Sequence, residues 1–175
     1  MAEVRLRAVR VDQQSNPPVL LLQESGGLGR TIPIFIGAPE ATAIAFALQG
    51  TATPRPMTHD LILDLLASLG VGIVRVVVTE LRDATYHAEI VLLQDGREVA
   101  VSSRPSDAVA VAVRADVPLF VADDLMEDEG IILAVDEDEE DDEDEDDDDG
   151  VVNPEEIVGE FRSFLDSIRP EDFSP

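Results

Sequence analysis

Residues 31–50 read TIPIFIGAPEATAIAFALQG, and residues 97–116 read REVAVSSRPSDAVAVAVRAD. Each stretch is an alternating strand, a proline followed within two residues by an acid, and then a helix of small and apolar residues. In the first, Ile32, Ile34 and Ile36 share one strand face, because successive side chains point to opposite sides of a strand. Pro39 suits the first helical position, where its missing N–H is not needed. Glu40 then falls in the first turn, where the helix dipole favours an acid. In the second, Val99 and Val101 share a strand face, Pro105 opens the helix, and Asp107 lies in its first turn.

Working outward, each stretch is preceded by two more strands. Glu3–Asp12 places Val4, Leu6 and Ala8 on one face and then shifts phase to Val9 and Val11, which predicts a bulge. Val19–Gln23 is a short apolar run, followed by a glycine-rich turn at residues 25–29. In the second half, Gly72–Leu81 carries Val74, Val76 and Val78 on one face. A tight turn at residues 82–85 leads to a strand at Tyr86–Leu93, and Asp95-Gly96 is a two-residue hairpin signal. The matching order of features points to duplication. The expected fold is α+β: a repeated strand-strand-strand-helix unit forming mostly antiparallel sheets, with apolar helices packed between layers. Both helices are apolar nearly all round and must be covered on more than one side. That excess of apolar surface also predicts a homo-oligomer.

Between the halves, Thr58 is the expected N-cap of a helix with Asp60 in its first turn. Leu61, Ile62, Leu65, Leu66 and Leu69 lie on one face, opposite Asp60, Asp64 and Ser68. This reads as an amphipathic helix that packs by its apolar side. Val117–Ala122 reads as a short strand, and Asp123–Asp128 as a turn or short helix.

The chain has 175 residues and a formal net charge of −26, unevenly placed. Residues 136–149 are 14 acids in 14 positions, a run that repels itself and buries nothing. It divides the chain into a body at 1–135, an acidic linker at 136–150 and an appendage at 151–175. In the appendage Asn153, Pro154, Glu155 and Glu156 form a helix start, and Ile157, Val158, Phe161, Phe164, Leu165 and Ile168 follow at helical spacing. Such a stripe is expected to dock on its own domain, on a sister subunit, or on a protein partner. All 12 basic residues are arginine, which suits a high-salt cytoplasm or an arginine-favouring genome. The acidity argues against tight binding of polyanions, because nucleic-acid affinity rests on cations neutralising phosphates. With no cysteine, disulfides, thiolate nucleophiles and cysteine-held metals are excluded. No apolar stretch approaches the roughly 20 residues needed to span a membrane. The amino terminus lacks the apolar centre of a signal peptide, and the expected compartment is the cytoplasm.

No nucleophile motif, phosphate loop or dinucleotide fingerprint is present. Polar residues instead gather at the ends of elements: Arg55, His59 and Asp60; Asp83, Tyr86 and His87; Arg104, Ser106 and Asp107. Each has a structural role open to it, and Arg104 can pair with Asp107 or an edge carboxylate. Together they suggest carboxylates holding a divalent cation that activates water and bridges to phosphate, with His59 as general acid or base.

At PIFIGAPEATAIAFALQG (33–50), PRPMTHDLILDLLASLG (54–70) and SRPSDAVAVAVRADVPLFV (103–121) the chain resembles the bifunctional nuclease domain family. The likeness covers roughly residues 3–130. It implies a small α+β protein that cleaves DNA and RNA. It marks Arg55, Thr58, His59, Asp60, Asp83, Arg104, Ser106 and Asp107 as motif positions. The family supplies only these positions; from residue chemistry, His59, Asp60 and Asp107 are the expected catalytic groups. Asp60 and Asp107 are the expected ligands of a magnesium or manganese ion. Arg55, Arg104 and Ser106 are the expected substrate contacts, and Thr58 and Asp83 are structural. Two departures stand out. Ala84 replaces a turn glycine, so a turn of another type is expected. Ser102 and Ser103 stand where an Ile-Asp-Ala type sequence is common. The leading reading is therefore a nuclease. The alternatives are a non-catalytic oligomeric binding or regulatory protein, and a small-molecule sensor with a pocket between the halves.

Overall fold

The computed structural model describes residues 1–10, 17–51 and 53–133. The acidic linker at 136–150 and the amphipathic stretch at 151–175 lie outside the described residues, as does the end of the first expected strand.

The seven strands are β1 (Ala2–Arg10), β2 (Val19–Glu24), β3 (Thr31–Phe35), β4 (Gly72–Arg82), β5 (Thr85–Gln94), β6 (Arg97–Ser103) and β7 (Leu119–Val121). The helices are α1 (Ala38–Leu48), α2 (Thr58–Ser68), α3 (Pro105–Ala115) and α4 (Asp123–Glu129). The fold is α+β, with a mostly antiparallel sheet. All seven strands join in one sheet of order β3-β2-β1-β7-β4-β5-β6.

That order displays the duplication. From the centre outward, one half runs β1, β2, β3 and the other β4, β5, β6. The seam is β7, antiparallel to β1 and parallel to β4. β1 and β4 therefore run in opposite directions, as a two-fold relation between the halves requires. The expected bulge is present: the β1–β2 register shifts between Leu6 and Ala8. The β5–β6 turn uses Asp95 and Gly96, both at positive φ.

α1 and α3 pack on each other, and α3 also lies on β4 and β5. Their alanines permit the close approach. Ala41, Ile44, Ala108, Val109, Ala110 and Ala112 join Leu20, Leu22, Ile32, Val76, Val78 and Val121 in one core. α2 packs on α3, so α3 is covered from two sides. The apolar surface of α1 and α3 that pointed to a second subunit is thus largely buried within the chain itself.

Two local expectations are corrected. Thr58 is the first residue of α2 and Met57 is its N-cap; Asp60 satisfies the free end by accepting a hydrogen bond from the Met57 N–H at 2.9 Å. Most of the apolar stripe of α2 does not pack inward, although Leu66 is half-buried. Leu61, Leu65 and Leu69 are 50%, 54% and 73% exposed, while His59 of the same helix is 7% exposed. The ion pair of Asp60 with Arg114 and the hydrogen bond of His59 to α3 turn the polar start of α2 toward the body. Leu61, Leu65 and Leu69 consequently face out.

Candidate active site

The duplicated units place an acid at the same position of equivalent helices. Glu40 is the third residue of α1 and Asp107 the third of α3. Both converge on Arg104, the N-cap residue of α3. Its Nε and Nη2 donate to Asp107 Oδ2 and Oδ1 at 2.7 and 3.1 Å, and Nη1 donates to Glu40 Oε1 at 2.9 Å. Gly37, at the matching N-cap of α1, leaves space for this contact, because a Cβ there would overlap the Glu40 carboxylate.

His59 completes the chain of contacts. Its Nε2 lies 3.2 Å from Asp107 Oδ1. Burial pushes the Asp107 carboxyl up, but hydrogen bonds from Arg104 and His59 outweigh it and hold the group below the ordinary aspartate range. An ionised carboxylate only accepts, so Nε2 carries the proton in this contact. The side chain of Arg104 is 66% exposed, that of Asp107 31% and that of His59 9%. The order from solvent inward is therefore Arg104, Asp107, His59.

Arg104 opens onto a cleft of about 360 Å³ lined by Ile34, Ile36, Gly37, Ala84, Tyr86 and Ser106 among others. One wall is the β3–α1 junction of the first unit. The other is the β4–β5 turn and the start of α3 in the second. Burial, with the Glu129 charge adding to it, raises the Tyr86 hydroxyl, so it stays a neutral hydrogen-bonding group at physiological pH. The β4–β5 turn keeps both central residues left-handed, with Asp83 at φ 49° and Ala84 at φ 57°. Ala84 adopts this strained backbone itself. Ala84→Gly is expected to raise stability by about 0.5–1 kcal/mol, seen as a melting temperature about 2–4 °C higher.

The expected site residues divide into two groups. Arg104, Ser106, Asp107 and His59 are brought together. Asp60 is not: its Oδ1 accepts from Arg114 Nε at 2.7 Å and its other oxygen caps α2. Burial raises the Asp60 carboxyl, and the Met57 N–H and Arg114 outweigh it to leave it lowered. Thr58 is exposed on the first turn of α2. Arg55 is exposed and contributes its carbonyl to Thr53. Asp83 accepts from Thr85 through its carbonyl, beside the cleft wall. Tyr86, one of the polar residues gathered at its hairpin, lines the cleft, and Glu40 also belongs to the site although it was not singled out as a site group by residue type. The repeat itself carried the signal for Glu40, since it occupies the place of Asp107 in the other unit.

Asp60 and Asp107 thus each face an arginine, and no group of three or more His, Asp or Glu spaced to hold a metal occurs among the described residues. The guanidinium of Arg104 takes the seat between two carboxylates that a cation would need. In this arrangement the residues do not fit an ion shared by Asp60 and Asp107.

The sequence profile of the bifunctional nuclease domain matches residues 19–134. The chain belongs to the bifunctional nuclease domain family. An uncharacterized protein of Mycobacterium tuberculosis (strain ATCC 25618 / H37Rv) is 42% identical over 173 residues, covering 99% of this chain and 98% of the relative. Bifunctional nuclease 1 of Oryza sativa subsp. japonica is 25% identical over 132 residues, 67% of this chain and 40% of the plant protein. Bifunctional nuclease 2 of Arabidopsis thaliana is 28% identical over 115 residues, 64% of this chain and 35% of the relative. The cleft at Arg104 and Ser106, with Asp107 paired to Arg104 behind it, lies inside the matched domain. Among the described residues, no helix is long and apolar enough to cross a membrane.

Proposed function

We propose that this bifunctional nuclease domain hydrolyses phosphodiester bonds of DNA or RNA in the cleft between its two repeated units. One observation carries the reading. A largely exposed guanidinium stands at the mouth of the cleft, aimed by two carboxylates from equivalent helix starts. Arginine's planar fork matches the oxygens of a phosphate, and held in place it stabilises the charge that grows there in the transition state.

In this reading Arg104 and the Ser106 hydroxyl hold the phosphate. The Asp107 carboxylate, fixed in orientation by His59, accepts a proton from the attacking water. The water oxygen bonds to phosphorus, the bond from phosphorus to the leaving sugar oxygen breaks, that oxygen takes a proton from solvent, and Asp107 returns its own proton to solvent. His59 is then a positioning residue, since it touches Asp107 and lies behind it. The acidic body keeps binding weak, and affinity should fall further as salt rises.

The alternative, a non-catalytic binding protein, has one observation in its favour: Glu40, Arg104, Asp107 and His59 already satisfy one another. An assay on single-stranded DNA and RNA separates the two readings. It should be run with magnesium, with manganese and with a chelator, beside Asp107→Asn. Cleavage that Asp107→Asn removes supports the nuclease; equal cleavage by both proteins would sink it. Activity lost in chelator alone would restore a metal requirement that the resting geometry does not provide.

A further inference from the structure

The outward face of α2 is the least expected surface of the molecule. Leu61, Ile62, Leu65 and Leu69 are 36–73% exposed along nearly its whole length. Apolar surface left in water forgoes about 25 cal/mol per Å², and a contiguous patch of it marks a contact surface. The stripe from Leu61 to Leu69 is about 12 Å long at 1.5 Å per residue.

We propose that residues 154–169 of the same chain cover this face of α2. The described residues end at Leu133, and the acidic run follows at 136–149. Beyond it stand Ile157, Val158, Phe161, Phe164, Leu165 and Ile168, the one stretch after the run with apolar residues at helical spacing. Coiled into a helix, Ile157 to Ile168 extends about 16 Å, a fit to the length of the α2 stripe. A helix of this size is marginal alone in water and gains its order by packing.

The tether reaches. Residues 134–153 extend to about 65 Å, more than the roughly 35–40 Å width of a domain of this size. The acids of the tether have no apolar group to compete for the leucines. The family profile stops at residue 134, yet the alignment with the M. tuberculosis relative covers 99% of this chain. The segment is thus shared beyond the domain itself.

Charge decides between the chain's own segment and a second copy. Two molecules of net charge −26 must approach against repulsion. A tethered segment meets α2 at an effective concentration of about 1 mM.

Hydrogen exchange on the full-length protein tests this, comparing wild type with Leu65→Asp. Leu65 is half exposed, so the variant is expected to keep its core. Slow exchange at Val109–Ala112 in both proteins verifies that. Amides of 157–168 are expected to exchange about ten-fold more slowly in wild type than in the variant, which corresponds to a local Kd of about 0.1 mM. Phe161→Asp, placed outside the domain, should remove the same protection. Equal exchange in wild type and both variants would overturn the proposal. So would protection that grows with protein concentration, which would assign the face to a second copy.

Discussion

Arg104→Gln is expected to lower kcat/KM on single-stranded DNA by about 10²–10³-fold, the scale of losing one preorganised donor to a developing charge. The protein should stay folded. The Arg104 side chain is 66% exposed, and exposed ion pairs contribute little to stability, so the melting temperature should move little. Arg104→Lys is the sharper variant. It keeps the charge and loses the fork that reaches Glu40 and Asp107 together, so activity should still fall. Asp60→Asn is the contrast. Its carboxylate serves Arg114 and the α2 terminus, so the surviving folded protein should retain most of its rate. Steady-state kinetics on the three variants checks the set. Wild-type activity in Arg104→Gln would remove the cleft from the mechanism.

Arg114→Ala should have the largest effect on stability. The side chain is 8% exposed and ties three helices. Its Nε donates to Asp60 on α2 at 2.7 Å, Nη2 to the Ala43 carbonyl on α1 at 2.9 Å, and Nη1 to Ala110 in its own helix at 3.0 Å. Removing it strips the guanidinium from Asp60 Oδ1 and a second donor from the Ala43 carbonyl. Breaking a buried pair costs about 3–5 kcal/mol; Asp60 is 37% exposed, which places this one near about 3 kcal/mol. Thermal unfolding should shift down by about 10 °C. A shift near zero would mean that α2 is not held through Arg114.

The same pair sets an acid response. Asp60 and Asp107 are both held below the ordinary aspartate range. A lowered folded pKa gives stability that is present above the unfolded value of about 3.9 and is lost as pH falls through the folded one. Acidification also relieves the self-repulsion of so acidic a chain. Stability of the wild type should therefore hold or rise from pH 7 toward about 4 and drop below it. Asp60→Asn should show a shallower drop. Urea midpoints measured across that range report it.

Much of this was legible along the chain. The strand alternation at Ile32, Ile34 and Ile36, the Asp95-Gly96 hairpin, the bulge in β1 and the paired proline-acid helix starts are local signals. Each depends on a few neighbouring residues. Their repetition in the same order revealed two equivalent units and the α+β class, and the motifs around Arg104 and His59 marked the family. A helix start without tertiary context, however, reads the same for Glu40, Asp60 and Asp107: an acid in a first turn.

Only packing separated those three. Arg104 reaches Glu40 across 64 residues of sequence, and Arg114 reaches Asp60 across 54. Which acid meets which guanidinium depends on how α1, α2 and α3 cross, and no local spacing encodes that. The leucine face of α2 shows the same limit. Periodicity specified that its apolar residues share a side, but the polar anchors at His59 and Asp60 determined that this side faces water.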